Sequence, residues 1–193
     1  MTRPPRDVQR AKVYAAEASV EWDRHDKRAT KRFRTLGDAA EFVELVYRSE
    51  WFSTRAPHLV ALSVVAGDRS SRRATCTTRV GKVPGTSVSR IRLPPWARNR
   101  QVVLHEMAHA LVWKPEPPAH HGPEFCRAEI ELLGEFVSPA AASALRVQFA
   151  IRGVRVGDAP KVVAPFVPDS SVLFGQLSLP GFGPVGQRAA HVG

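Results

Sequence analysis

The chain has 193 residues, of which 44% are hydrophobic, and it carries a formal net charge of +10 at pH 7. This length suits one domain with a substantial core and leaves room for only a very small second one. No apolar run is long enough to cross a bilayer, and the opening stretch MTRPPRDVQR lacks the apolar core of a secretory signal, so we expect a cytoplasmic protein. Cys76 and Cys126 are too few for a disulfide framework or a four-cysteine zinc ribbon, so a metal would need histidine and carboxylate ligands.

Two helices are predicted at the start of the chain. Thr35 and Asp38 offer N-cap chemistry for the second one, and its apolar pattern breaks at residues 49–54. The first helix is predicted from an apolar stripe with steps of three and four residues, which consists of Val8, Ala11, Ala15, Ala18 and Trp22.

Three β-strands are predicted next, over residues 59–66, 73–80 and 86–93, because these segments are rich in Thr, Val and Ile. Turn-forming pairs separate them, which favours a small, mostly antiparallel sheet. The third segment, SVSRIRLPP, stops at Pro94-Pro95, and we therefore predict that it is an edge strand.

The same region concentrates positive charge. Nine Arg and Lys residues and no acidic residue occur from Arg69 to Arg100. This pattern is typical of a solvated basic surface without a specific partner, and also of a surface that binds nucleic acid or another polyanion. Both interpretations stay open, and the sequence predicts no oligomeric state.

The remaining helices form the second half of the predicted domain. A buried helix is expected over residues 98–113, since apolar residues cover much of its circumference. After the loop KPEPPAHHGP, Gly122-Pro123 begins another helix, and Ser138-Pro139 begins the last one, to about residue 152.

Beyond Gly157 the composition changes to Pro, Gly, Ser and isolated apolar residues, which predicts little secondary structure. The predicted organisation is one domain, residues 1–157, followed by a poorly ordered tail, residues 158–193.

The stretch VLHEMAHALV contains the pattern HExxH. Residues four apart lie on the same helix face, so His105 and His109 can offer two imidazoles to one ion. Glu106 projects about 100° away from His105, where it suits a general base acting on a metal-bound water. Burial of this polar triplet among apolar residues would be costly without a cation. We therefore predict a metal site.

A catalytic zinc site needs a third protein ligand and an open position. We predict that His121 is this ligand, because the Gly122-Pro123 turn folds the chain back immediately after it. His120 is expected to be solvent-exposed, and Glu124 to interact with the ligands or with the helix dipole. The other downstream candidates are Glu116 and Glu129.

Several neighbouring residues have structural interpretations. Cys126 would favour a closed structural site as a ligand, but it is expected to pack as a small hydrophobe. Tyr14 and Tyr47 are expected in the core, and His58 fits a loop residue equally well, so no second electrophile is assigned. Two tryptophans bracket the metal helix and are expected to anchor its core or rim: Trp96 and Trp113.

The motifs HEMAHAL and HHGPEF, preceded by IRLPP, resemble those of the SprT-like zinc metalloproteases. The resemblance implies an α+β, zincin-like fold of a minimal gluzincin type, with N-terminal helices, a small sheet, a buried HExxH helix and C-terminal helices. It also implies that His105, His109 and His121 bind one zinc ion and that Glu106 is the base.

A second resemblance covers residues 6–157 and includes RDVQRAKVYAAE and LRVQFAIRGVRVG. These stretches are similar to a family of small, uncharacterised actinobacterial proteins described as metallohydrolases. This similarity supports one domain that ends near Gly157, and it implies no substrate.

The sequence therefore predicts a zinc-dependent hydrolase that acts on amide bonds, most simply those of a peptide or protein. A small amide is an alternative substrate. The rival function is a non-catalytic zincin-like protein that binds nucleic acid or a partner protein through the basic residues 69–100.

Overall fold

The structure, a computed structural model, describes residues 7–83, 85–114 and 120–158. Two predictions lie outside these residues: the tail from residue 158 onward, apart from Asp158 itself, and the candidate ligand Glu116. The predicted α+β fold class is confirmed. The described part contains seven α-helices and one three-stranded sheet. The helices are α1 (Arg10–Ser19), α2 (Trp22–His25), α3 (Leu36–Arg48), α4 (Glu50–Arg55), α5 (Arg100–Leu111), α6 (Pro123–Phe136) and α7 (Pro139–Ile151); the strands are β1 (Leu59–Ala66), β2 (Thr75–Val80) and β3 (Ser87–Leu93).

The sheet is mixed and has the strand order β1-β3-β2. β1 pairs with β3 in parallel, and β2 pairs with β3 antiparallel. The prediction that the third segment is an edge strand is thus wrong, because β3 lies between the other two. Pro94 and Pro95 follow the last paired residue, Leu93, so they end the strand without removing a hydrogen bond from either ladder. The two edge strands in the described part of the sheet are therefore β1 and β2.

Helix α5 lies in the core. Val103, Leu104, Met107 and Ala108 are fully buried, and the helix packs against α6 and β2. It begins at the N-cap Asn99, whose side chain accepts a hydrogen bond from the backbone N–H of Val102 over 3.0 Å. Because it is held on both sides, this helix is a rigid base for the residues it presents.

The start of the chain differs from the prediction. The predicted first helix is divided into α1 and α2, and the buried residues of α1 are Val13, Ala16 and Glu17. Val8, Ala11 and Ala18, which belong to the predicted apolar stripe, are exposed. α1 packs against α7 through its other face.

The next segment agrees with the prediction in one feature and differs in another. A capping box formed by Thr35 and Asp38 begins α3 as predicted. The predicted break after it contains the short helix α4, for which Ser49 supplies the N-cap. Among the described residues, no helix is both long enough and apolar enough to cross a membrane.

Candidate metal centre

Two predicted ligands and the predicted base project from α5. His105 and Glu106 are 4% and 5% exposed, so both are almost fully removed from solvent. His109 lies one turn further along and is partly exposed. The rings of His105 and His109 have their centroids 5.2 Å apart. The helical spacing thus brings the two imidazoles together at the surface of the core.

The third predicted ligand, His121, comes from the segment that leads into α6. Gly122 is the N-cap of this helix and Pro123 occupies its first turn, which turns the chain back toward α5. One nitrogen from each of His105, His109 and His121 lies within 4.8 Å of the others. The structure therefore brings together three imidazoles that could hold one metal ion.

Carboxylates hold two of the imidazoles by their Nδ1 atoms. Glu17 Oε1 lies 2.7 Å from Nδ1 of His105, and Asp7 Oδ2 lies 2.7 Å from Nδ1 of His121. The Nε2 atoms of both rings are buried and have no hydrogen-bond partner among the described residues. A buried nitrogen without a partner is costly, and a cation satisfies it. This arrangement fits a divalent metal ligated through Nε2, with carboxylates that fix each ring from behind.

A third carboxylate, Glu129, lies behind His105. Its Oε1 is 3.4 Å from Nδ1 of His105, and its side chain is fully buried. Burial and the charge of Glu17 raise the pKa of Glu129 well above its usual range, so it keeps its proton. Burial works against ionisation of Glu17 too, but the charge of His105 and hydrogen bonds outweigh it and lower the Glu17 pKa to about 2. Glu129 therefore faces Nδ1, on the far side of the ring from the unpartnered Nε2.

Glu106 has the properties of a group that exchanges protons near neutral pH. Burial raises its pKa to about 7, and the positive charge of His105 opposes that shift only in part. Burial also lowers the pKa of His109 well below its usual range, with the charges of His105 and His121 acting in the same direction. A neutral imidazole is the form that binds metal.

An aromatic side chain supports all three histidines. Phe125 on α6 is fully buried, and its ring centroid lies 4.4 Å from that of His109 and 4.9 Å from those of His105 and His121. Its ring is stacked on His109 and meets the other two rings edge to face. Phe125 thereby restricts the ring orientations of the whole group.

The other predicted candidates lie apart from this group. His120 is exposed, with its ring centroid 6.2 Å from that of His109. Glu124 forms an ion pair with Lys114 over 3.2 Å. Cys126 is buried and packs in the core, with its Sγ 3.7 Å from a backbone carbonyl, so it takes no place among the ligands.

Tyr14 does not lie in the core, contrary to the prediction. It is 42% exposed, and its ring centroid lies 5.6 Å from His105 and 5.1 Å from His121. Tyr47 does pack against the core and donates a hydrogen bond to a backbone carbonyl. His58 is half-buried, with its ring 5.8 Å from that of Trp113.

Three residues of the centre were not predicted from the sequence: Asp7, Glu17 and Phe125. The aromatic of the HGPEF motif was a visible signal for Phe125. No signal marked the carboxylates, because they lie 114 and 88 residues away from the histidines that they contact.

Two cavities open on either side of Tyr14. The strand-side cavity has a volume of about 540 Å³ and is lined by His109, His121 and residues 74–78, which include part of β2. The helix-side cavity has a volume of about 790 Å³ and extends along α1. Glu106 lines both, so the two cavities meet at the predicted base.

Residues 64–138 match the model of the SprT-like family. This match contains all of α5 and the histidine that precedes α6, and it confirms the resemblance of this segment to SprT-like proteins. No curated protein and no solved structure matches the chain. The resemblance to small actinobacterial metallohydrolases stays a prediction.

Proposed function

We propose that this protein is a zinc-dependent metallohydrolase that cleaves amide bonds of peptides or proteins. His105, His109 and His121 would hold the ion, and Glu106 would be the general base. The observation that carries the proposal is the pair of buried Nε2 atoms without partners on His105 and His121, each in a ring held by a carboxylate at Nδ1. The SprT-like match over residues 64–138 supports the same chemistry.

The metal ion, Glu106 and the residues around the histidines would have separate roles in hydrolysis. A bound zinc ion supplies Lewis acidity, which lowers the pKa of a water and polarises a carbonyl. Glu106, with a pKa of about 7 in the metal-free protein, can take a proton from the attacking water and return it to the leaving amine. Glu17 and Asp7 hold the ligand rings in one orientation, and Phe125 excludes water from their inner side.

The free edge of β2 offers a means of binding an extended peptide. Residues 74–78 line the strand-side cavity together with Glu106. A peptide that paired with this edge would form main-chain hydrogen bonds and lie beside Glu106. Because the backbone makes these bonds, such binding would depend little on the peptide's sequence. Such binding favours a peptide or protein as the substrate over a small amide.

The test compares hydrolysis by the zinc-loaded wild type and by Glu106→Gln. Unstructured protein, a peptide library and a panel of small amides serve as substrates. We expect wild type to cut peptides faster than small amides, and Glu106→Gln to lose at least about 100-fold in rate, in line with the contribution of general base catalysis. Full activity of Glu106→Gln would disprove the assigned mechanism, and cleavage of small amides alone would redirect the substrate class.

A second candidate function, binding of a polyanion, has one structural observation in its favour. Arg90 and Arg92 are exposed on the same face of β3, and Arg79 of β2 lies opposite Val88 on that face. Three guanidinium groups on one surface are suited to phosphates.

The double change Arg90→Ser and Arg92→Ser tests this candidate with single-stranded and duplex DNA as probes. Weaker binding with a smaller salt dependence would support it. Arg24→Ser and Arg48→Ser remove the same charge from exposed helix positions and are the matched control. Equal binding by the two double variants would refute a specific role for the sheet face.

A further inference from the structure

We propose that the helix-side cavity is a binding subsite for a large apolar side chain, on the C-terminal side of the bond that is cut. This inference rests on the proposed peptide hydrolysis. The cavity has a volume of about 790 Å³, and both His105 and Glu106 line it. That volume lies within the range of ligand pockets and is ample for an aromatic side chain.

The apolar stripe of the first helix forms one wall of the cavity. Val8, Ala11 and Ala18 line it together with Trp22. These residues have the spacing of a buried face, but α1 turns its other face to the core and leaves Val8 61% exposed. This exposed apolar surface lies in a cavity beside the proposed base. Binding of an apolar group there would remove the surface from water, which is favourable.

The opposite wall is a fixed aromatic surface. Trp96 is 44% exposed, and its indole N–H donates a hydrogen bond to the backbone carbonyl of Ser71 over 2.7 Å. It belongs to a single turn of 3₁₀-helix, Pro95–Ala97, directly before α5. Val102 on α5 completes the apolar surface near His105. Because the indole is held in place, a side chain that enters meets a preformed wall.

Charged side chains of both signs also line this cavity. Arg72 and Arg73 line this cavity, and both are exposed. The carboxylates of Glu17 and Glu106 also line it, and Glu17 accepts hydrogen bonds from His105 and Gln101 through Oε1. Because groups of both signs lie here, the apolar walls and the volume, and not the charge, favour an apolar side chain.

The direction of β2 decides which side of the substrate reaches this cavity. The chain passes the helix-side cavity at residues 72–74 and the strand-side cavity at residues 74–78. Antiparallel pairing is the more stable ladder, and a substrate paired in this way runs from the strand-side to the helix-side cavity. The residue that follows the cut bond then lies beside Trp96.

The experiment maps cleavage sites of the zinc-loaded protein in a library of peptides. We expect Phe, Leu, Met or Trp directly after the cut bond. Trp96→Ala should lower kcat/KM for a peptide with Phe at this position about 10-fold and leave a peptide with Ala there unchanged, the size of effect that an apolar pocket gives. Ala18→Trp should fill the cavity and shift the preference toward small residues. Leu45→Ala removes another exposed apolar side chain, on α3 and outside the cavity lining, and should change nothing.

A binding measurement separates this inference from the proposed function. Glu106→Gln is titrated with two uncleaved peptides that differ only in Phe or Ala, and Trp fluorescence or calorimetry reports the affinity. Tighter binding of the Phe peptide that is lost in Ala18→Trp supports the subsite even if wild type cuts nothing, which would overturn only the proposed hydrolysis. Cleavage without preference at this position, or a preference unchanged in both cavity variants, would overturn the subsite alone.

Discussion

The buried pair of Glu17 and His105 should give the metal-free protein a stability that depends on pH. Glu17 is 8% exposed, and its Oε1 lies 2.7 Å from Nδ1 of His105. Burial penalises its charge, but the imidazolium charge and hydrogen bonds outweigh that penalty, so its pKa falls from 4.5 to about 2. The substitution that removes the charge with the least change of shape is Glu17→Gln.

The sign and the size follow from linkage. A carboxyl group whose pKa is lower in the folded protein than in the unfolded chain contributes stability above its unfolded pKa, and this contribution is lost as the pH falls through its folded pKa. For Glu17 the window runs from 4.5 down to about 2. A pKa difference of this size corresponds to ~3 kcal/mol at neutral pH, at ~1.4 kcal/mol for each pKa unit.

Urea denaturation of the metal-free proteins between pH 6 and about 2 measures this effect, with the free energy of unfolding compared at each pH. The free energy of unfolding of wild type should exceed that of Glu17→Gln by ~3 kcal/mol at pH 6, and this difference should shrink toward zero at the acid end. The other carboxyl groups are the same in both proteins, so their contributions cancel. Glu21→Gln, which removes an exposed carboxylate, should follow wild type. Parallel stability curves for wild type and Glu17→Gln would refute the assigned ion pair.

Three further predictions concern the support of the metal centre. Asp7→Asn should lower zinc affinity about 10- to 100-fold, measured by competition with a chelator, because an amide replaces the carboxylate that fixes the His121 ring. Phe125→Ala should lower the free energy of unfolding by ~3–5 kcal/mol in chemical denaturation, since it leaves a cavity beneath the three histidine rings. Asn99→Ala should cost ~1 kcal/mol and lower the Tm, because it removes the cap on the N–H of Val102; an unchanged Tm would mean that this cap does not hold α5.

The local parts of the fold could be predicted from the sequence. The strand over residues 59–66 was predicted with the bounds that the structure has, and the capping role of Thr35 and Asp38 was predicted from two residues three positions apart. HExxH spacing places His105 and His109 on one helix face, and the Gly122-Pro123 turn brings His121 to them. These features depend on contacts within a few residues or across one loop.

The parts that depend on distant contacts could not be predicted. Asp7 and Glu17 reach the histidines only after the chain has folded, and no local pattern marks a carboxylate as a ligand's partner. The prediction that β3 is an edge strand was wrong for a similar reason. β3 pairs with both β1 and β2, and the prolines that follow it carry no information about these partners. The apolar stripe of the first helix could be identified from the sequence but its surroundings could not, because periodicity identifies an apolar face and not what that face contacts.

The most direct test of the three-histidine centre is elemental analysis of protein purified without a metal-affinity tag. Wild type and Glu106→Gln should each hold about one zinc ion per chain, His121→Ala should lose it, and His120→Ala, which changes the exposed neighbour, should keep it. Wild type that takes up no zinc on reconstitution, or equal zinc content in His121→Ala and His120→Ala, would contradict the assigned centre.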